Sequence, residues 1–242
     1  MGSIPDALTK TLIGFEEDVR LLFGDHTVSI ILYGSAATDE FVSGKSDINI
    51  LVVLDEDGIE NLEPVQKKVM KWLRQGIRPL FLTETYIERS LDSFPIEFLN
   101  MQTAYHVVSG KDVLEKLDIN RKDLRLECER ELKGKLLQLR QEFVMTRGKR
   151  SALKALIRES AGAFTAIFRA LLFLAGQEIP AAKQEVIRRT CEAYRLDESL
   201  FLTLFAVKGG KLNPSRDELE RLVASYIRQI AGLSREIDKM EI

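Results

Sequence analysis

Apolar residues recur at helical spacing at the start of the chain, where Leu8, Leu12, Phe15, Val19 and Leu22 predict an amphipathic helix over Asp6–Phe23. The period then changes. Thr27-Val-Ser-Ile-Ile-Leu-Tyr33 and Ile48-Asn-Ile-Leu-Val-Val-Leu54 are short β-branched runs, the first ending at Gly34-Ser35 and the second at the turn signal Asp55-Glu-Asp-Gly58. Each predicts a buried strand. Pro64 to Gln75 predicts a helix with proline in its first turn. Arg78 to Thr83 and Ile96 to Met101, the latter after the break at Pro95, are two further strand candidates. Strands and helices mixed in this order predict an α/β or α+β domain over about the first half of the chain.

Beyond Gly110 the strand signals stop. Apolar positions 124, 128, 132, 136, 139 and 143 form one helical stripe from Arg121 to Phe143, and Ser151 to Leu174 carries a second. Pro180 to Tyr194 and Glu198 to Val207 predict shorter helices, and Asn213-Pro214 opens a last one running to the C-terminus. Five helices with short connections predict an up-and-down bundle. The expected division is residues 1–115 for the mixed domain and residues 116–242 for the helical one.

Composition narrows the function classes. The chain has 35 Lys and Arg against 37 Asp and Glu, a net charge of -2, with 45% hydrophobic and 30% charged residues. These are the proportions of a folded globular protein, and the absence of a basic run argues against long nucleic acid as partner. Cys128 and Cys191 show no paired spacing, and His26 and His106 are the only histidines, so a disulfide framework and a Cys/His zinc site are not expected. No signal peptide is read at the N-terminus, and Asp6 stands where a myristoylation signal has Ser or Thr. The longest apolar stretch, Ala161 to Ala175, is too short to span a bilayer. A cytoplasmic protein with no membrane partner is the expectation.

The segment with chemical content is Tyr33-Gly-Ser, a spacer, and Ser46-Asp-Ile-Asn49 at the start of the second strand. Side chains alternate along a strand, so Asp47 and Asn49 point to one face. Oxygen ligands at that spacing beside a glycine turn suit a phosphate-bound Mg²⁺, which takes hard oxygen donors. Gly34 would let backbone approach phosphate, and Ser35 supplies a hydroxyl. Gly44-Lys45-Ser46 is similar to the end of a P-loop, but Asp39 stands where that motif needs glycine and a strand rather than a helix follows.

Gly34-Ser35, the spacer and Ser46-Asp47-x-Asn49 together resemble the signature of the nucleotidyltransferase superfamily that includes DNA polymerase beta and the aminoglycoside nucleotidyltransferases. The motif proper covers Gly34 to Val53, and the order of elements is similar over residues 5–110. The resemblance implies an α+β fold, with a mixed sheet flanked by helices at the N-terminus and a C-terminal helical bundle. It implies nucleotide binding by Gly34, Ser35 and Ser46, and a catalytic, metal-holding set of Asp47, Asn49 and a third carboxylate from a later strand, for which Glu97 is the candidate. The implied reaction moves a nucleoside monophosphate from a nucleoside triphosphate, with Mg²⁺, to a hydroxyl of a small-molecule or protein acceptor.

Asn49 departs from the family pattern, which has a second aspartate there. One unit-charge pair at 4 Å is worth about 4 kcal/mol at an effective dielectric near 20, and a divalent ion about doubles it. Losing that charge is expected to weaken metal binding about tenfold or more and to impair turnover more than nucleotide binding. Two alternatives therefore stand beside an impaired transferase: an inactive nucleotide-binding or regulatory protein on the same fold, and an interaction module built on the helical half. Arg130, Lys133 and Lys135 cluster around Gly134, where either a ligand or close helix packing would explain a mid-helix glycine.

Overall fold

The computed structural model describes residues 6–38, 41–44 and 46–242, which fall into two compact units dividing between Ile119 and Asn120. Asp39 and Lys45 of the rejected P-loop reading lie outside the described residues.

In the first unit the helix α1 (Asp6–Phe23) leads into β1 (Thr27–Tyr33), followed by β2 (Ile48–Leu54), the short α2 (Glu56–Glu60), α3 (Gln66–Arg74) and β3 (Ile77–Thr83). Then come α4 (Glu84–Arg89), α5 (Pro95–Thr103) and β4 (Tyr105–Gly110). The sheet has four strands in the order β3-β2-β1-β4. β1 is antiparallel to both β2 and β4, whereas β2 and β3 run parallel through the α3 crossover. Ile30, Leu32, Ile50, Val52 and Leu54 pack on one face with Leu8, Leu12, Phe15 and Val19 of α1 and with Trp72 of α3. Ile31, Leu51 and Val53 on the other face are also fully buried. Burial on both faces is why these strands read as unbroken apolar runs rather than alternating ones.

One polar knot ties α1 to α3. Asp18, buried to 7% exposure, accepts from Lys68 Nζ (2.8 Å), Lys71 Nζ (2.7 Å) and Trp72 Nε1 (3.0 Å). Trp72 itself is fully buried, edge-on to Phe15 with ring centroids 4.8 Å apart.

One expectation fails here. Ile96–Met101 is not a strand but lies within α5, entered through Pro95 in its first turn. Thr103 Oγ1 donates to Leu99 O and Asn100 Nδ2 to Ile96 O, both four residues back along the helix. A six-residue apolar run has no period of its own, so neighbours decide between helix and strand. The fourth strand is β4, whose residues gave no strand signal. Asp55, part of the turn signal after β2, caps α2: its carboxylate accepts from Gly58 N–H at 2.8 Å.

The second unit holds α6 (Arg121–Met145), α7 (Arg150–Ser160), α8 (Thr165–Leu174), α9 (Lys183–Ala193), α10 (Glu198–Lys208) and α11 (Arg216–Asp238), six described helices rather than five. The stripe predicted over Ser151 to Leu174 breaks at Gly162, where an added Cβ would collide with Lys208 Nζ. The last helix starts after Ser215, which forms a capping box with Glu218, and not at Asn213-Pro214. Phe164, Phe168, Phe201 and Tyr226 form an aromatic core with ring centroids 5.4–6.3 Å apart. No helix among the described residues is long and apolar enough to cross a membrane.

Candidate functional site

At the end of β1 the chain turns sharply. Gly34 has φ +74°, a left-handed conformation that L side chains resist, and its N–H donates to Ala104 O at 2.9 Å. A single turn of 3-10 helix, Gly34–Ala37, follows and is anchored by the buried Ala36 and Ala37. Thr38 donates through both its N–H and its hydroxyl to Ser35 O. The carbonyl of Ser35 is therefore committed to holding the turn.

Asn49 lies directly opposite Tyr33 in the β1–β2 ladder, with its amide against the turn: a Cβ placed on Gly34 would stand 3.3 Å from Asn49 Nδ2. The glycine is thus favoured by its positive φ, and a side chain there would also press on the Asn49 amide. Asp47, just before β2, is exposed, and its carboxylate pairs with Arg78 Nη2 at 3.4 Å. Arg78 comes from β3 and is the ladder partner of Asn49. Its Nη1 donates to Ile77 O at 3.4 Å and Leu73 O at 3.5 Å. Arg78, Asn49, Tyr33 and Tyr105 thus form one row across all four strands. Burial raises the Tyr33 pKa, and burial together with its hydrogen bond to Asp112 pushes Tyr105 up to about 12. Both phenols stay protonated at neutral pH, and that of Tyr105 is already committed as donor to Asp112 at 3.0 Å.

The remaining candidates are placed differently. The Ser46 hydroxyl accepts from Val42 N–H at 3.1 Å and its own N–H donates to Val42 O, closing the loop through Gly44. Glu97 is not on a strand. It sits exposed in the first turn of α5, between buried Ile96 and Phe98. Helix α5 packs on the Gly34–Ala37 turn, but among the described residues no group of three or more His, Cys, Asp or Glu side chains could hold a metal. Sequence reasoning missed Arg78. It was visible only as the first residue of a strand candidate, and its place beside Asn49 depends on register.

These side chains do not fit a carboxylate-bound Mg²⁺ pair. The exposed Asp47–Arg78 ion pair is itself worth under about 1 kcal/mol, so pairing alone would not keep an ion out. The deficit lies in the total charge. A divalent ion gains about 8 kcal/mol from each carboxylate at about 4 Å and an effective dielectric near 20. Among the described residues, one carboxylate here is opposed by a guanidinium of equal and opposite charge, and the second ligand is a neutral amide.

The helical half accounts for its own basic cluster. Arg130 pairs with the buried Glu127, Lys133 with Glu129 and Asp238, and Lys135 with Glu131. A Cβ on Gly134 would meet nothing within 4 Å, so close approach does not explain that glycine.

Residues 12–106 match the family described as "Nucleotidyltransferase domain". No curated protein sequence matches the chain. Among solved structures, the spectinomycin adenyltransferase AAD(9) from Enterococcus faecialis, determined with ATP and spectinomycin, superposes with a TM-score of 0.56. Its identity is 13%, over 92% of this chain and 99% of that one, a likeness of fold.

Proposed function

We propose, from the match of residues 12–106 to a nucleotidyltransferase domain, that the chain binds a nucleoside triphosphate at the Gly34 turn and directs its α-phosphorus to a hydroxyl of a small-molecule acceptor, with turnover impaired. The observation that carries the reading is the left-handed Gly34 at the end of β1, without a side chain of its own and backed by the Asn49 amide. In such a transfer the acceptor oxygen bonds the α-phosphorus, the bond to the bridging oxygen breaks, pyrophosphate leaves and the hydroxyl gives up its proton. This chain's residues supply the turn on which phosphate rests and one carboxylate, Asp47. The family's divalent ions would supply charge neutralisation, which the donor set of the described residues does not fit. The ATP and spectinomycin held by the solved neighbour support the substrate classes.

A second reading is favoured by the Asp47–Arg78 pair: nucleotide is bound and not turned over. Titration of the four nucleoside triphosphates, followed by transfer assays from α-labelled nucleotide across a hydroxyl-acceptor panel, separates the two. Binding with labelled product supports the transferase, and binding without product supports the regulatory reading. No rise in melting temperature with any nucleotide refutes both, since a ligand that binds the native state must stabilise it.

A further inference from the structure

Resting on the nucleotide-binding reading above, we propose that Arg78 is the fixed cation of the phosphate site, so that this chain binds the triphosphate of a nucleotide without a divalent ion.

The sheet register carries the argument. Arg78 is the β3 partner of Asn49, and Asn49 is the β2 partner of Tyr33, the residue that leads into the Gly34 turn. The guanidinium therefore stands in the same row as the amide that touches the turn. Its reach is limited by contacts on one edge, where Nη1 donates to Leu73 O and Ile77 O, while Nη2 faces Asp47. A guanidinium has five N–H donors in a planar fork suited to phosphate oxygens, and it keeps its charge at any working pH. With 47% of the side chain exposed, Arg78 is open to a ligand.

Position on the sheet supports the assignment. β3 is an edge strand, and Pro79 follows Arg78 directly. Proline offers no N–H to a further strand, so that rim stays unpaired. Charge points the same way. Arg78 offsets the charge of Asp47, so a polyanionic triphosphate meets a locally neutral rim that offers guanidinium N–H donors, instead of the net negative charge of paired carboxylates. On this assignment Asp47 orients Arg78 when the site is empty and yields it to phosphate on binding.

Calorimetric titration of ATP, GTP, CTP and UTP is run in EDTA and in Mg²⁺, with native protein and with Arg78→Gln and Arg78→Lys, each first shown by its melting temperature to be folded. Native protein is expected to bind one nucleotide in EDTA within about threefold of its affinity in Mg²⁺. Arg78→Gln is expected to weaken binding in EDTA by about tenfold to a hundredfold, the usual scale for hydrogen bonds to a charged group, and Arg78→Lys to recover part of it. Binding that requires Mg²⁺ overturns the proposal, as does undiminished binding in EDTA by Arg78→Gln. Absence of binding under both conditions removes the underlying nucleotide reading instead, so the two failures are distinct. The double variant Arg78→Glu with Asn49→Asp gives a converse check. It is expected to bind only in Mg²⁺, and binding insensitive to EDTA overturns the assignment.

Discussion

Replacing Asp18 with asparagine removes a charge from the knot between α1 and α3 while keeping its shape, and the cost can be worked from the geometry. Burial by itself would raise the pKa of this carboxyl, but hydrogen bonds from Lys68, Lys71 and Trp72 outweigh it and hold the value at about 2 instead of 3.8. That difference corresponds to about 2 kcal/mol of stability. A carboxyl whose folded pKa is depressed contributes above its unfolded pKa, so the gain is complete above pH 3.8 and disappears as pH falls towards 2. The amide oxygen of the substituted side chain can still accept from the indole N–H, so Asp18→Asn is expected to lose about 2 kcal/mol at pH 7. Asp18→Ala also strands a buried N–H and is expected to lose about 1–3 kcal/mol more. The reporter is built in, because Trp72 is the protein's single tryptophan and part of the knot. Urea unfolding followed by its fluorescence, for native protein and Asp18→Asn at pH 7 and again near pH 2.5, gives the difference directly. A gap that stays the same at both pH values would refute the reasoning, as would no gap at pH 7.

Gly34→Ala is expected to cost about 1–2 kcal/mol for a left-handed alanine and to abolish nucleotide binding in protein that still melts cooperatively; unchanged affinity in titration would show that the turn does not carry phosphate. Gly58→Ala would place a Cβ 2.9 Å from His26 Cβ and 3.3 Å from the buried Leu54 Cβ, and a loss of about 1–3 kcal/mol in chemical denaturation is expected from overpacking. The hydrogen bond to Asp55 raises the His26 pKa above 6.5, so His26→Gln should destabilise below that pH, with the difference fading as pH rises through the raised value; denaturation at pH 5.5 and 8.5 tests the sign. Cys128 and Cys191 are at 0% and 2% exposure, and burial pushes the first thiol far up and the second to about 12. Neither should react with a thiol reagent at pH 8 until denaturant is added, and rapid labelling of the native protein would contradict their burial.

Some features of this protein are local, and so were legible in one dimension. Helices α1 and α6 and strands β1 and β2 announce themselves by period and composition, because each buries a repeating set of its own side chains. The Gly34-Ser35 turn is equally local, set by one glycine, whereas Asp47 falls just before β2, so strand alternation does not set its direction. Other features depend on partners remote in sequence. Ile96–Met101 is helical because Pro95 starts it and its surroundings bury most of its sides, and β4 exists because β1 has a free edge that pairs with Tyr105–Gly110. Asp18 looked like any surface acid until Lys68, Lys71 and Trp72, 50 to 54 positions away, closed on it. Arg78 is the clearest case. Its residue type is plain in the sequence, but only the parallel β2–β3 register sets it beside Asn49 and Asp47. A shift of one residue would turn it to the opposite face. Local periodicity decided which segments form, and long-range pairing decided which charges meet.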